Sequence, residues 1–493
     1  MKLFLWLKRL ITWALCFFLL CFFGLAVLFV VVTTPEENTS DDPRLVNDVT
    51  QLNPIQVLGV KQPRSVPEIV HLVKTNEGPI SIGGGRYSMG GQTASPQALQ
   101  LDLRQFNRVV TFSKEKKEIT VEAGITWRQI QEYIDPHNLS LKVMQTYSNF
   151  TVGGSLSVNV HGRYLGLGPI IYTVKSIKIV LADGQLLSAS PQENATLFYG
   201  AIGGYGALGI IVEATLSLDD NVKVERITKR MSLEDYHDFF FDKIRNDTSI
   251  VFHNADIYPG SYDEIQSVSY VRTTKALTVE DRLRPTDKNY RPEKFAMWVV
   301  SETPCGGWIR KTILDPIFNG DGVVEWRNYE ASYNVKELEP SSRKNDTYVL
   351  QEYFVPVDQI NAFTPGMREI FKRHNPNVIN VSIRHAYKDP GSLMAWARTE
   401  VFAFVVYYKQ GTTESDKQKV ALWTRELIDL AASLDGTYYL PYQIHATKEQ
   451  FQTCYPNADS FFALKRKVDP HHKFRNKLWD TYHKPDTLNT RKD

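Results

Sequence analysis

Three glycine-rich stretches carry the clearest chemical signal in this chain of 493 residues. They are SIGGGRYSMGGQ at 81–92, TVGGSLSVNVHG at 151–162 and GAIGGYGALGII at 200–211. Glycine lets the backbone approach a ligand closely, and a run of exposed backbone amides forms a concavity suited to phosphate. One such stretch is more often a plain turn. Three in close succession favour a single long, anionic, phosphate-bearing ligand.

The overall composition argues against several classes of protein. There are 57 Lys and Arg residues against 55 Asp and Glu, and a formal net charge of +2 gives no argument for nucleic-acid binding. Four cysteines are too few for a disulfide scaffold, and no metal-ligand spacing is present, so we expect no metal. The length and a hydrophobic content of 43% predict a folded chain of two or three domains.

The N-terminus contains a long uncharged segment, residues 10–32. As a helix it would be about 35 Å long, enough to cross a bilayer. Lys2, Lys8 and Arg9 precede it and acidic residues follow, which predicts a single-pass membrane protein with a cytoplasmic N-terminus and an extracytoplasmic, or periplasmic, catalytic domain. A cleavable signal is the alternative, but the apolar core is long and no A-x-A-like site follows it.

Short strands mixed with short helices characterise the region that holds the glycine stretches. Ser65 precedes VPEIVHLVKT at 66–75, an amphipathic helix in capping-box form. The alternating segment at 176–190 contains Asp183-Gly184 and predicts a hairpin. This order indicates an α+β fold rather than a regular βαβ repeat.

After about residue 220 the glycine stretches stop and aromatic strands begin. The segments 348–357 and 400–408 read as strands, and 416–434 reads as a helix, which predicts a second domain with its own sheet. A helix at 461–479 is broken at Asp469-Pro470. The predicted organisation is a transmembrane anchor at 1–33, a linker at 34–55, a ligand-binding domain at 56–220, a substrate or cap domain at 221–455 and a returning C-terminal segment at 456–493.

Together these residues resemble the FAD-linked oxidase superfamily, also called the vanillyl-alcohol-oxidase or PCMH-type flavoproteins. The C-terminal KRKVDPHHKFRN at 465–476 is similar to the K-x-x-x-D-P-x-x-x-F-x-N ending of that family. Within the superfamily, NVHGR at 159–163 and the span 438–476 are most similar to decaprenylphosphoryl-ribose oxidase and to the sugar-alcohol and aldonolactone oxidases. The resemblance implies a two-subdomain FAD-binding domain and a cap domain with an antiparallel sheet flanked by helices.

The resemblance also implies which residues would hold FAD. Those of the first stretch would bind the pyrophosphate, those of the second would approach the ribityl chain and isoalloxazine, those of the third would run beside the adenine end, and Asn476 would reach back toward the flavin. The implied set is Gly83, Gly84, Gly85, Arg86, Tyr87, Ser88, Gly91, Gln92, Thr151, Gly153, Gly154, Ser157, His161, Arg163, Gly206, Gly209, Ile211 and Asn476. Many relatives attach FAD through a histidine at the position of Tyr87, so we expect FAD to be bound non-covalently here.

Four residues are candidates for catalysis. By the resemblance, His161 lies beside the flavin ring and Arg384 lies in the substrate pocket, although Ser382 stands where the sugar-alcohol oxidases carry glutamate. Tyr439 and Tyr442 fall on pocket positions, and Tyr442 replaces a lysine. The plainer alternatives are a histidine packed in a loop and tyrosines of an aromatic core. Arg163 would place positive charge near the reduced flavin, or would be a surface arginine.

The resemblance predicts an FAD-dependent oxidoreductase that oxidises a CH–OH group of a sugar, polyol, lactone or lipid-linked glycosyl substrate. Dioxygen or a membrane quinone would reoxidise the flavin, which leaves oxidase and dehydrogenase activity both open. The anchor at 10–32 would make the membrane a further partner. Because glutamate and lysine are missing from the pocket positions, a flavin-binding or flavin-less scaffold is the alternative function.

Overall fold

The computed structural model describes residues 2–36, 42–337 and 339–483. Residues 37–41 of the predicted linker and 484–493 of the predicted C-terminal segment lie outside that description. The mixed α+β character predicted from the sequence is confirmed, since helices and largely antiparallel sheets alternate along the chain.

Residues 45–220 build three small sheets around the glycine stretches. The strands are β1 (Leu45–Val46), β2 (Ile55–Gln56), β3 (Gly59–Lys61), β4 (Ile80–Gly83), β5 (Leu99–Asp102), β6 (Val109–Ser113), β7 (Glu118–Glu122), β8 (Leu139–Leu141), β9 (Val174–Val180), β10 (Leu186–Ala189) and β11 (Ile210–Asp220). The helices up to this point are α1 (Lys2–Thr33), α2 (Val66–Thr75), α3 (Trp127–Ile134), α4 (Val152–Ser157) and α5 (Ala195–Ala201). A parallel sheet has the order β3–β5–β4, and an antiparallel sheet has the order β10–β9–β11–β7–β6 with β8 also paired to β11. The third sheet pairs β1 with β2.

Local sequence explains several of these elements. Helix α2 begins where the Ser65 hydroxyl accepts the backbone N–H of Glu68 at 3.3 Å, and it buries Ile69 and Val73. Strands β9 and β10 form the predicted hairpin. The turn between them needs a left-handed residue, which Gly184 supplies with φ of 80°.

Residues 223–454 build the second part around one large antiparallel sheet. Its strands are β12 (Lys223–Ser232), β13 (Ile250–Ile257), β14 (Glu264–Arg272), β15 (Val324–Trp326), β16 (Asp346–Pro356), β17 (Asn377–Ala386), β18 (Val401–Gly411) and β19 (Thr437–Tyr438), in the order β15–β12–β14–β13–β17–β18–β16–β19. Its helices are α6 (Tyr236–Phe239), α7 (Arg291–Glu302), α8 (Gly306–Ile309), α9 (Asp315–Phe318), α10 (Arg327–Glu330), α11 (Ile360–His374), α12 (Glu414–Ser433) and α13 (Lys448–Cys454). We call this part the cap.

The two faces of the cap sheet have different neighbours. Rings of β18 pack against α11 and α12, with centroids 4.7 Å apart for Phe404 and Phe363 and 4.9 Å apart for Tyr408 and Trp423. Side chains alternate along a strand, so residues one position away point to the opposite face. That opposite face, which includes Glu352, is turned toward the first part of the chain.

The C-terminal segment returns to the first part through α14 (Ala458–Val468) and α15 (Lys477–Tyr482). The predicted break is present, because α14 ends at Val468, just before Asp469-Pro470. The buried Lys465 ammonium donates to the Asp469 carboxylate at 2.8 Å and to the Ala207 carbonyl at 2.9 Å. This ion pair therefore fastens the segment beside the third glycine stretch.

The predicted transmembrane anchor is contradicted. Among the described residues, no helix combines the length and the apolar character needed to cross a membrane. Helix α1 does form, but its last turns pack on the cap, where the Phe29 and Phe295 rings lie 5.3 Å apart and Arg291 Nε donates to Thr33 Oγ1 at 2.9 Å. An uncharged run in the sequence shows only that a segment is apolar. It cannot reveal the tertiary contacts that the segment makes. The predicted single-pass topology, with its cytoplasmic N-terminus and extracytoplasmic domain, is not supported either.

Candidate active site

All three glycine stretches line one cleft of about 1150 Å³, open solvent included. The predicted cofactor residues that line it are Gly83, Gly84, Gly85, Arg86, Tyr87, Ser88, Gln92, Thr151, Gly153, Gly154, Ser157, Gly206, Gly209 and Ile211. Leu350, Tyr439, Pro441 and Tyr442 close it from the cap side.

Regular elements hold each stretch in place. The first follows the end of β4, the second forms α4, and the third joins α5 to β11. Gln92 ties the first stretch to the cap, since its side-chain amide donates to the carbonyls of Leu440 and Tyr442, both at 2.7 Å. The cleft is therefore a junction between the two parts of the chain.

Backbone, rather than side chain, forms much of the cleft wall. A side chain at Gly84 would overlap the Thr151 hydroxyl, so the first two stretches approach each other at backbone distance. Gly154 is exposed, and a Cβ there would meet only Thr151 Oγ1 within 4 Å, at 3.1 Å. Bare backbone beside a helix N-terminus suits a pyrophosphate, which needs several converging N–H donors. The residues present thus fit a dinucleotide such as FAD.

Tyr87 lines the cleft at the position where, by the resemblance, many relatives attach FAD through a histidine. Its ring packs edge-on against Phe150 with the centroids 4.5 Å apart. Burial raises the pKa of the Tyr87 phenol to about 12, so the side chain is neutral at physiological pH.

His161 lies behind the cleft wall rather than in it. Its ring is surrounded by Phe354, Trp396 and Tyr439, with centroid distances of 5.6, 5.0 and 5.9 Å. Its Nε2 pairs with the Glu352 carboxylate, which sequence reasoning missed. The available signal was a lone acidic residue in the middle of the apolar strand β16.

The two predicted tyrosines both reach the cleft. Tyr439 donates its hydroxyl to the Val158 carbonyl at 2.8 Å, and Tyr442 donates to Glu352 Oε2 at 3.1 Å. Burial, followed by the Glu352 charge, raises the pKa of Tyr442 well above its usual range. Tyr442 therefore offers a neutral phenol where the resemblance implies an ammonium in relatives.

Arg384 lies on the same sheet face as Glu352 but does not line the cleft. Its Nε is buried and has no hydrogen-bond partner among the described residues. Its charge acts on Tyr147 and Tyr442, where it opposes the rise in the phenol pKa that burial causes.

Three other predicted residues are placed away from the cleft. Gly91 donates its N–H to Asp48 Oδ2 at 3.1 Å. Asn476 donates to the Tyr205 carbonyl at 2.8 Å, so it supports the third stretch from outside. Arg163 pairs with buried Glu330 at 2.7 Å, in contact with the cap.

Comparison with known proteins agrees with this geometry. Residues 54–190 match the family model described as an FAD binding domain. The chain is 21% identical to L-gulonolactone oxidase of Bos taurus over 84% of this chain and 92% of the bovine one. It is 33% identical to D-arabinono-1,4-lactone oxidase of Yarrowia lipolytica over 31% of each chain.

A further relative is cytokinin dehydrogenase 2 of Arabidopsis thaliana, which is 27% identical over 44% of this chain and 46% of the plant one. The relatives thus include oxidases and dehydrogenases, and the matched domain contains the first two glycine stretches. Taken with the backbone-lined cleft, these matches show an FAD binding domain at 54–190 and an FAD-dependent oxidoreductase that is similar to the PCMH-type FAD-linked oxidases.

Proposed function

We propose that this protein oxidises a CH–OH group of a sugar lactone or a related polyol and passes the electrons to dioxygen. The observation that carries the proposal is the cleft itself, which runs from the glycine stretches to Tyr439 and Tyr442 of the cap. Relatives that cover most or part of the chain are named as lactone oxidases. Bound FAD would supply a two-electron acceptor, and the protein would supply binding, orientation and proton transfer.

The cap face beside the cleft has the polarity that a hydroxylated substrate needs. Strand register puts Asp256 opposite Ser382, with Arg384 two residues further along the same face. The Asp256 carboxylate accepts from the side-chain amides of Asn254 and Asn380, both at 2.9 Å. Carboxylate, amide and guanidinium groups on one surface can donate to and accept from several hydroxyls at once.

This polar face also supplies a carboxylate close to the position of the missing glutamate. Asp256 is the direct cross-strand neighbour of Ser382, where the sugar-alcohol oxidases carry their glutamate. A carboxylate is therefore available at the same place in the sheet, supplied by β13 instead of β17. We propose that Asp256 and Arg384 bind substrate hydroxyls.

The first experiment is an anaerobic titration of the purified flavoprotein with L-gulono-1,4-lactone and D-arabinono-1,4-lactone, followed by admission of air. We expect the visible flavin absorbance to bleach with a lactone and to return with dioxygen. Bleaching without return in air would point to a dehydrogenase with another acceptor, such as a quinone. Bleaching only by a lipid-linked glycosyl compound would replace the lactone class.

The same preparation tests the scaffold alternative and the mode of FAD attachment. A colourless protein that FAD cannot reconstitute would favour a scaffold without turnover. For the flavoprotein, we expect acid precipitation to release all FAD into the supernatant, because Tyr87 replaces the linking histidine of relatives. Flavin that remains with the pellet would contradict non-covalent binding.

A further inference from the structure

Glu352 connects the cleft with the enclosed His161. The side chains of His161 and Glu352 are 3% and 2% exposed. One carboxylate oxygen, Oε1, pairs with His161 Nε2, and the other, Oε2, accepts from the Tyr442 hydroxyl at 3.1 Å. Because Tyr442 also lines the cleft, an unbroken series of proton-carrying groups runs from the cleft to His161.

A carboxylate in this position is costly unless it is paired. Its strand neighbours on the same face, Leu350 and Phe354, are apolar, and solvent does not reach it. Transfer of a charged group into such surroundings is unfavourable unless the group is paired and hydrogen-bonded, as both oxygens of Glu352 are.

The proposed reaction requires a proton acceptor at this place. Oxidation of CH–OH to C=O removes the C–H bond with its electron pair as hydride and leaves the O–H proton to be taken up by the protein. Tyr442 lines the cleft, and its hydroxyl already donates its own proton toward Glu352. It can therefore receive one proton while it releases another.

We propose that Tyr442, Glu352 and His161 form a proton relay that takes the hydroxyl proton of the substrate out of the cleft. The substrate O–H bond breaks as its proton passes to Tyr442 Oη. The original Tyr442 proton passes to Glu352 Oε2, and His161 holds the carboxylate through Oε1. Tyr442 is the catalytic residue, and Glu352 and His161 act through it. The inference rests on the proposed CH–OH oxidation.

The surrounding groups favour Glu352 as the acceptor. The other titratable groups facing the relay are Tyr205, Tyr439 and Arg384. Burial raises the pKa of the Tyr205 and Tyr439 phenols well above their usual range, so both remain neutral. The Arg384 charge acts on Tyr442 and stabilises negative charge at its oxygen as the proton leaves.

The chain offers a matched control in a second pair, the buried His385 with the half-buried Glu400. His385 Nε2 and Glu400 Oε1 are 2.8 Å apart, and Arg245 binds the same carboxylate at 2.7 Å. His385 follows Arg384 on β17, so it points to the opposite face of the sheet. Glu400→Gln thus disrupts the same kind of pair at a site that does not line the cleft.

The test compares wild type, Glu352→Gln, Tyr442→Phe and Glu400→Gln, each purified with FAD. We measure anaerobic flavin bleaching by L-gulono-1,4-lactone from about pH 5 to pH 9, together with flavin content. Glu352→Gln and Tyr442→Phe are expected to bleach about 100-fold more slowly and to lose the pH dependence of the wild type, while retaining FAD. Glu400→Gln is expected to keep the wild-type rate and pH profile.

A second measurement does not depend on turnover. In protein labelled with ¹⁵N-histidine, we expect the ring ¹⁵N chemical shifts of His161 to change in Glu352→Gln and also in Tyr442→Phe, because Glu352 contacts both side chains. Glu400→Gln should leave these shifts unchanged. If the lactone fails to bleach wild type, the substrate class is wrong, and these shifts alone decide whether the three groups are coupled. Unchanged His161 shifts in Tyr442→Phe, or a Glu352→Gln rate within about threefold of wild type, would overturn the relay.

Discussion

Gly154→Val is expected to leave the protein folded but unable to retain FAD. Gly154 is exposed in the cleft, and an added Cβ would have only Thr151 Oγ1 as a neighbour within 4 Å. The larger side chain would therefore project into the cleft, where the resemblance places the ribityl chain and isoalloxazine of FAD, without colliding with the protein core. We expect flavin retention to fall at least about tenfold, which corresponds to ~1.4 kcal/mol of binding free energy. The measurement is the flavin-to-protein absorbance ratio after gel filtration.

Two further glycine variants make this result specific. Gly59→Val lies in β3, outside the cleft, with no atom within 4 Å of the added Cβ, and it should retain FAD fully. Gly84→Val should lose FAD and also melt at a lower temperature, because its side chain would overlap Thr151. If Gly154→Val holds FAD as tightly as Gly59→Val, the second glycine stretch does not approach the cofactor.

The cofactor cleft could be anticipated from sequence because its chemistry lies in the backbone. A run of glycines exposes backbone amides whatever its partners in the fold. The patterns at 81–92 and at 151–162 therefore predict a ligand-binding backbone from local sequence alone. The same holds for elements with local signals, such as the helix capped by Ser65 and the hairpin that turns at Gly184. No distant residue is needed to recognise either.

The partners of the polar side chains could not be anticipated in this way. His161 and Glu352 are 191 residues apart in the chain, and only the pairing of the cap sheet brings them together. Arg163 was expected near the flavin, yet its guanidinium lies with Glu330, 167 residues away. The side chain of a loop residue such as Arg163 can point to either side of the backbone. The carboxylate that pairs with it lies far away in the sequence, so the local sequence does not predict its direction.

Glu330→Gln is expected to cause a large loss of stability. The Glu330 carboxylate is fully buried and lies 2.7 Å from Arg163 and 3.3 Å from Arg284. Removal of the shared partner leaves two enclosed cations without compensation, which typically costs about 3–5 kcal/mol. Thermal unfolding should show a melting temperature lower by about 5 °C or more.

The neighbouring carboxyl, Glu325, is expected to respond differently to the same substitution. Burial, followed by the Glu330 charge, raises the pKa of Glu325 to about 9, so it is protonated at neutral pH. For Glu330, burial alone would raise the pKa, but Arg163 and Arg284 lower it to about 2. Glu325→Gln should therefore be tolerated at neutral pH, although the side chain is just as enclosed.

The pH dependence of unfolding separates the two groups. Because the pKa of Glu330 is lowered from 4.5, its contribution is present above pH 4.5 and is lost as the pH falls toward 2. Because the pKa of Glu325 is raised from 4.5, the folded state loses stability as the pH rises from 4.5 toward 9. Glu325→Gln should match wild type near pH 4.5 and be more stable than wild type near pH 9. Equal losses in both variants at neutral pH would contradict the assignment of Glu325 as protonated there.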